Sequence, residues 1–161
     1  MNSLQFAIEM EQEGEKFYLE QAEINKANDL KVVCELLAAD EKEHAKILTN
    51  KMNNVAYPLT DTATLAEAKN VFTEMKALQT GKEELTSQTN FYRRASEIEQ
   101  QSVDFYSKYL KETIDTNEKK LFDFLIQQEK KHLAVLEEFY LLLKNSKDWV
   151  ENAEFGVRED Y

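Results

Sequence analysis

The chain has 161 residues, of which 31 are acidic and 20 basic, and its formal net charge is −11. This charge disfavours nucleic acid and anionic membranes as partners and suits a protein that handles cations. The single cysteine, Cys34, excludes an intrachain disulfide and any metal site built from several cysteines of this chain. No apolar run approaches the roughly 20 residues needed to span a bilayer, and the first residues lack the basic region of a signal peptide. We therefore expect a cytoplasmic protein.

Helix is the expected structure almost throughout, because the chain contains only three glycines and one proline. Apolar periodicity predicts helices over about residues 3–27, 29–53, 64–78, 86–113 and 116–145. The third of these is short and lies in a long crossover, about 54–85, that holds the single proline, Pro58. The expected fold is an all-α, antiparallel four-helix bundle over residues 1–145, followed by a tail, 146–161, that docks on the bundle through Trp149 and Phe155.

Two Glu-x-x-His motifs stand out, Glu41 with His44 and Glu129 with His132, and they contain the only histidines of the chain. Residues three apart lie on the same face of a helix, so each carboxylate is expected beside its imidazole. The two motifs are 88 positions apart, and this spacing prompts a search for a repeat.

A shift of 88 residues aligns much of the first half of the chain with the second half without a gap. The sequence identities include six pairs near the first and third long helices and six near the second and fourth: Ala7/Ala95, Glu9/Glu97, Glu11/Glu99, Gln12/Gln100, Phe17/Phe105, Tyr18/Tyr106, Lys31/Lys119, Leu37/Leu125, Glu41/Glu129, Lys42/Lys130, His44/His132 and Leu48/Leu136. The bundle is therefore predicted to consist of two copies of one helical hairpin, neither of which buries its apolar face alone.

Each long helix places one carboxylate in its apolar stripe: Glu11, Glu41, Glu99 and Glu129. Burying such groups unpaired costs several kcal/mol each, and no lysine or arginine falls in these stripes nearby. A pair of divalent cations would neutralise them, and one Glu from each of two helices plus Glu-x-x-His from the other two is the pattern of dimetal carboxylate bundles. Oxygen and imidazole ligands without thiolate suit iron, manganese or a mixed pair of the two better than a soft metal.

The predicted metal ligands are thus the four glutamates together with His44 and His132. In one arrangement Glu41 and Glu129 bridge the two ions, and Glu11 with His44 and Glu99 with His132 complete the two ends. The sequence determines the set better than this pairing, which stays open.

These motifs resemble those of the ferritin-like superfamily and, within it, the rubrerythrin family. The likeness includes a tyrosine seven residues after the glutamate in the first and third long helices, Tyr18 and Tyr106. The resemblance implies a non-haem di-iron site that reacts with hydrogen peroxide or dioxygen. It also implies that the two tyrosines donate hydrogen bonds to ligand carboxylates, and that the protein is a homodimer.

Two departures from the family pattern change what the resemblance implies. Rubrerythrins proper append a rubredoxin domain with two Cys-x-x-Cys pairs, whereas this sequence has one cysteine, so we expect a separate electron donor such as a rubredoxin-type protein. They also carry an extra glutamate near the one on the third helix, where this sequence has Ser96 and Ser102. Oxidation and handling of ferrous iron, or a metal-stabilised bundle without turnover, are the alternative functions.

Overall fold

The computed structural model describes residues 2–75 and 82–155, with the backbone alone for residues 82 and 146–155. These residues form five α-helices and no strand: α1 (Ser3–Ile24), α2 (Leu30–Met52), α3 (Thr64–Met75), α4 (Lys82–Glu112) and α5 (Thr116–Phe155). Within the same ranges, no helix combines the length and the apolar character needed to cross a membrane. The predicted all-α class is confirmed.

The helices are arranged as two hairpins joined by a crossover. Helix α1 packs closely along α2, and α4 packs along α5, because each pair is joined by a short connection that returns the chain on itself. Helix α3 lies in the crossover and packs against both α2 and α5, whereas α1 and α4 approach each other at only a few positions. This is the ferritin-like bundle that the sequence predicts.

Polar side chains accept hydrogen bonds from backbone amides at the N-terminal ends of α1 and α2. The Gln5 amide donates to Asn2 Oδ1 (2.8 Å), and the Asn2 amide donates to Gln5 Oε1 (3.2 Å), which completes a capping box. At the start of α2, the Leu30 amide donates to Asn28 Oδ1 (2.9 Å), while Asp29 occupies the cap position without a side-chain bond.

Helix α2 ends in a left-handed turn. Asn54 has a φ of 57°, the Val55 amide donates to the Asn50 carbonyl (2.8 Å), and the Asn54 amide donates to the Lys51 carbonyl (3.2 Å). This pair of bonds is a Schellman motif, and asparagine is one of the few residues that enter the left-handed region readily. The turn directs the chain into the crossover.

The core consists of two apolar clusters. The Phe139 cluster includes Tyr18, Leu37, Phe91, Leu136 and Phe139. The Leu121 cluster includes Ala7, Leu48, Tyr106, Leu121 and Leu125.

Residues that the 88-residue repeat makes equivalent lie in opposite clusters. Tyr18 belongs to the Phe139 cluster and Tyr106 to the Leu121 cluster, and Leu48 and Leu136 are exchanged in the same way. The two hairpins are therefore related by an internal twofold axis that passes between the clusters and exchanges the ends of the bundle.

Several helix ends differ from the predicted ones. Helix α1 ends at Ile24, before Ala27, and α4 begins at Lys82. Helix α5 continues from Asn145 to Phe155, because the sequence from Thr116 to Phe155 contains no glycine or proline that would end it. The predicted docking of Trp149 and Phe155, and the predicted end of the crossover helix between residues 76 and 81, lie outside the described side chains and residues.

We expect Asn54→Val to lower the free energy of unfolding by about 1–2 kcal/mol, because a β-branched residue is strained at positive φ. Asn54→Gly should preserve stability, because glycine adopts this conformation without strain. Urea denaturation followed by circular dichroism measures both, with Asn53→Val, at an ordinary φ of −92°, as the control. Equal losses in the two valine variants would contradict the role of the left-handed turn.

Candidate metal centre

A layer of ionisable side chains lies between the two apolar clusters. In each of the four long helices, the glutamate predicted as a ligand stands between residues of one cluster and residues of the other. The structure brings all the predicted ligands together there, and none is more than 2% exposed: Glu11, Glu41, His44, Glu99, Glu129 and His132. Glu9 and Glu13, on the opposite face of α1, are exposed.

These side chains form two overlapping groups, and the atoms that could bind a metal ion lie within 4.8 Å of one another in each. The first group contains Glu11 and His44, and the second contains Glu99 and His132. Glu41 and Glu129 belong to both groups. This arrangement is compatible with two ions that share Glu41 and Glu129; metal ligation by these residues stays a prediction.

Each imidazole directs Nδ1 into the layer. His44 Nδ1 lies 3.0 Å from Glu129 Oε1 and 3.4 Å from Glu11 Oε2. His132 Nδ1 lies 3.0 Å from Glu41 Oε1 and 3.1 Å from Glu99 Oε1. A ring nitrogen carries one proton at most, so neither imidazole can satisfy all the acceptor oxygens around it.

Unpaired atoms test whether a metal fits this layer. The buried side-chain atoms without a hydrogen-bond partner here are Glu11 Oε2, Glu41 Oε1, His44 Nδ1, Glu99 Oε2 and both carboxylate oxygens of Glu129. Buried acceptors of this kind are expensive unless a cation or a donor satisfies them. Carboxylate oxygens with two imidazole nitrogens are a suitable donor set for divalent transition-metal ions, so the residues fit such ions.

The environment of the two shared carboxyl groups, Glu41 and Glu129, disfavours their ionised forms. Burial raises the pKa of Glu41 well above its usual value, and the charges of Glu11 and Glu129 raise it further. Burial likewise raises the pKa of Glu129, as do the charges of Glu11 and Glu99. Like charges buried in one dry layer oppose one another, so the ionised form is most disfavoured at the two shared carboxyl groups.

The end carboxyl groups are ionised instead. Burial acts to raise the pKa of Glu11, but the hydrogen bond with Glu41 and the charge of His44 outweigh it and hold the pKa at about 2. The pKa of Glu99 is also lowered, because the charge of His132 and the hydrogen bonds from His132 and Tyr18 outweigh the effect of burial. Each hairpin therefore pairs one carboxyl group whose pKa is lowered with one whose pKa is raised.

Each tyrosine predicted to support the site donates a hydrogen bond to an end carboxylate of the other hairpin. Tyr18 OH donates to Glu99 Oε1, and Tyr106 OH donates to Glu11 Oε1, both at 2.5 Å. Burial and the acceptor carboxylate raise the pKa of each phenol well above its usual value, so both remain protonated donors. The tyrosines therefore link the hairpins and orient the end carboxylates.

Sequence reasoning missed Asp40. This side chain is 5% exposed, and its Oδ2 accepts a hydrogen bond from His132 Nε2 at 2.9 Å. Burial acts to lower the pKa of His132, but the charge of Glu99 and the bond to Asp40 raise it well above its usual value. A carboxylate on the outer nitrogen fixes the orientation of a ligand imidazole and increases its basicity.

The signal for Asp40 in the sequence was an acidic residue immediately before Glu41, on a helix with a buried face. Its repeat equivalent is Gln128, which is also buried but donates to Asp61 Oδ1 in the crossover at 2.7 Å. The two halves of the centre therefore have the same predicted ligands and different outer partners.

Of the two serines at the positions predicted to lack the family's extra glutamate, Ser96 is half-buried and Ser102 is buried. The Ser102 hydroxyl donates to the Ile98 carbonyl at 3.1 Å, within its own helix. It therefore adds no carboxylate to the centre.

We expect Asp40→Ala to weaken metal binding about 10–100-fold, because His132 loses the acceptor that orients it. Gln128→Ala is the matched control, since it removes the equivalent side chain without removing an observed bond to either histidine. Titration with Co²⁺ followed by absorption spectroscopy measures both affinities. Equal weakening in the two variants would show that Asp40 has no special role.

Metal binding should release protons, because Glu41, Glu129 and His132 have raised pKa values and hold protons that an ion must displace. Affinity should therefore increase with pH and fall on acidification. Calorimetric titration with Mn²⁺ in two buffers of different ionisation enthalpy counts the released protons. Binding without proton release would contradict the assigned protonation states.

Comparisons with known proteins agree with this architecture. A search of curated proteins and a search of solved structures each gave no significant match. A family model described as Rubrerythrin matches residues 2–140, a range that contains every predicted ligand and both tyrosines. Because this match covers most of an all-helical chain with the expected bundle, the chain belongs to the rubrerythrin family.

Proposed function

We propose that this chain is a non-haem di-iron protein that reduces hydrogen peroxide or dioxygen with electrons from a separate donor. The observation that carries the proposal is the pair of overlapping four-residue groups that share Glu41 and Glu129. Membership in the rubrerythrin family supports iron, and the same donors would also accept manganese or a mixed pair.

In this proposal Glu11 and His44 would hold one ion and Glu99 and His132 the other, with Glu41 and Glu129 shared by the two groups. A diferrous pair, when bound, would supply the two electrons that convert hydrogen peroxide and two protons to two molecules of water. The apolar clusters above and below the layer exclude bulk water from the centre. The phenol protons of Tyr18 and Tyr106 keep the end carboxylates in place during the cycle.

The partners follow from this chemistry. The small oxidant is the substrate, and a rubredoxin-type protein is the proposed donor of the electrons that restore the ferrous state. We also propose a homodimer in a reducing cytoplasm. Cys34 suits such a compartment as a packing residue, because burial and the charge of Glu35 raise the pKa of its thiol to about 12 and make it unreactive.

A metal-stabilised bundle without turnover is the second candidate. The unpaired carboxylate oxygens favour it, because any divalent ion that satisfies them would stabilise the fold whether or not it reacts. Redox turnover therefore has to be measured separately from metal content and from stability.

We expect protein purified without oxygen to hold about two iron ions per chain, since the donor set divides into two groups. Glu41→Ala and Glu129→Ala should lose both ions, because each removes a carboxylate that the two groups share. Elemental analysis measures the content, and stopped-flow absorption with hydrogen peroxide and a reductant measures turnover. Glu20→Ala, at an exposed glutamate of α1, is the control.

The outcomes separate the candidates. Loss of both ions in the two variants together with loss of peroxide consumption would support the oxidoreductase. A protein that binds two ions and gains stability, yet consumes neither oxidant, would be the metal-stabilised bundle. Iron uptake far beyond two ions per chain would indicate iron handling. A folded chain that takes up neither iron nor manganese would refute the metal site.

A further inference from the structure

The predicted ligands are almost fully buried, so any reactant needs a route through the bundle. Close packing of α1 on α2 and of α4 on α5 closes two sides. Helix α3 covers the side between α2 and α5, and the segment before it bonds to both of these helices next to the centre. There Thr62 Oγ1 donates to Asp40 Oδ2 (3.3 Å), and Asp61 pairs with Lys131.

The fourth side, between α1 and α4, contains a cavity of about 310 Å³, which we name the α1–α4 chamber. It lies across the internal twofold axis, because its lining includes three pairs of repeat-equivalent residues: Phe6 with Arg94, Met10 with Ile98, and Glu13 with Gln101. The centre lies on the same axis, since the axis exchanges Glu41 with Glu129. The chamber therefore faces the middle of the predicted metal centre.

Gly14 separates the chamber from that centre. It lines the chamber, and a Cβ atom added to it would lie 3.3 Å from Glu41 Oε2 and 3.4 Å from Glu41 Cδ. The shared carboxylate thus lies directly behind a residue without a side chain. Any other residue would place side-chain atoms between the chamber and Glu41. With glycine at position 14, only backbone atoms separate the two.

The residues that line the chamber determine which molecules can enter it, by their charge and by the space they leave. Phe17, Met10 and Ile98 form apolar walls, and the Arg94 guanidinium lies 5.0 Å from the centre of the Phe17 ring. Glu9 and Glu13 make the rim acidic, which disfavours anions, as does the net charge of −11. A hydrated cation would lose water against the apolar walls. A small uncharged molecule meets neither penalty.

We propose that the α1–α4 chamber is the route by which a small uncharged oxidant, hydrogen peroxide or dioxygen, reaches the metal centre past Gly14. This inference rests on the proposed di-iron function and adds the place and direction of access. It makes Gly14 and the chamber's lining determinants of which oxidants react.

The test uses nitric oxide, a small uncharged probe whose binding to the diferrous protein is followed by stopped-flow absorption without turnover. Gln101→Trp should slow nitric oxide association at least several-fold by filling the chamber from α4. Met10→Trp should do the same from α1. Gln100→Trp is the matched control, because Gln100 is the exposed neighbour of Gln101 outside the chamber and bonds to Asp104.

Iron content and thermal stability of each variant are measured first, so that slower association is attributed to access. Slowing in both chamber variants but not in the control would support the route. Unchanged association in both chamber variants, with iron bound, would overturn it. Slowing without any peroxide or dioxygen reduction would leave the route standing and refute the proposed function. Mixing the variants with each oxidant in turn then identifies which one uses the chamber.

Discussion

The rest of the structure depends on the electrostatic repulsion among four carboxyl groups that are buried in one layer: Glu11, Glu41, Glu99 and Glu129. Burial and mutual repulsion raise the pKa of Glu41 and Glu129, whereas neighbouring hydrogen bonds and the histidine charges lower the pKa of Glu11 and Glu99. Two tyrosines and the imidazole of His132 donate hydrogen bonds to some of these carboxylates, and the remaining oxygens stay unpaired. An apolar core of the same volume would avoid the cost of burying these charges. The arrangement is therefore consistent with a site that binds cations.

The internal twofold explains how a short repeat builds this layer. Each hairpin contributes three residues to one predicted metal group and one residue to the other, and both hairpins contribute to each apolar cluster. Tyr18 and Tyr106 donate hydrogen bonds to carboxylates of the opposite hairpin. In both of these hydrogen bonds, the tyrosine and the glutamate that accepts from it belong to different hairpins. The layer is therefore assembled only when the two hairpins meet, with the crossover helix sealing one side.

The sequence predicted the bundle and the six clustered residues because the repeat and the helical period together determine which side chains share a face. It could not predict Asp40 as the partner of His132, because the periodicity of α2 does not say which residue of α5 lies opposite. The exchange of tyrosines between hairpins was hidden for the same reason. Helix ends were less certain where no glycine, proline or cap marked them, as at Asn145.

One consequence follows from the difference between Asp40 and Gln128. The imidazole of His132 is bonded to a carboxylate and gains electron-donating character, whereas the equivalent position in the other half holds a neutral amide that bonds to the crossover. Two ions held in this layer would therefore meet unequal imidazole donors at its two ends, despite the symmetry of the predicted ligands.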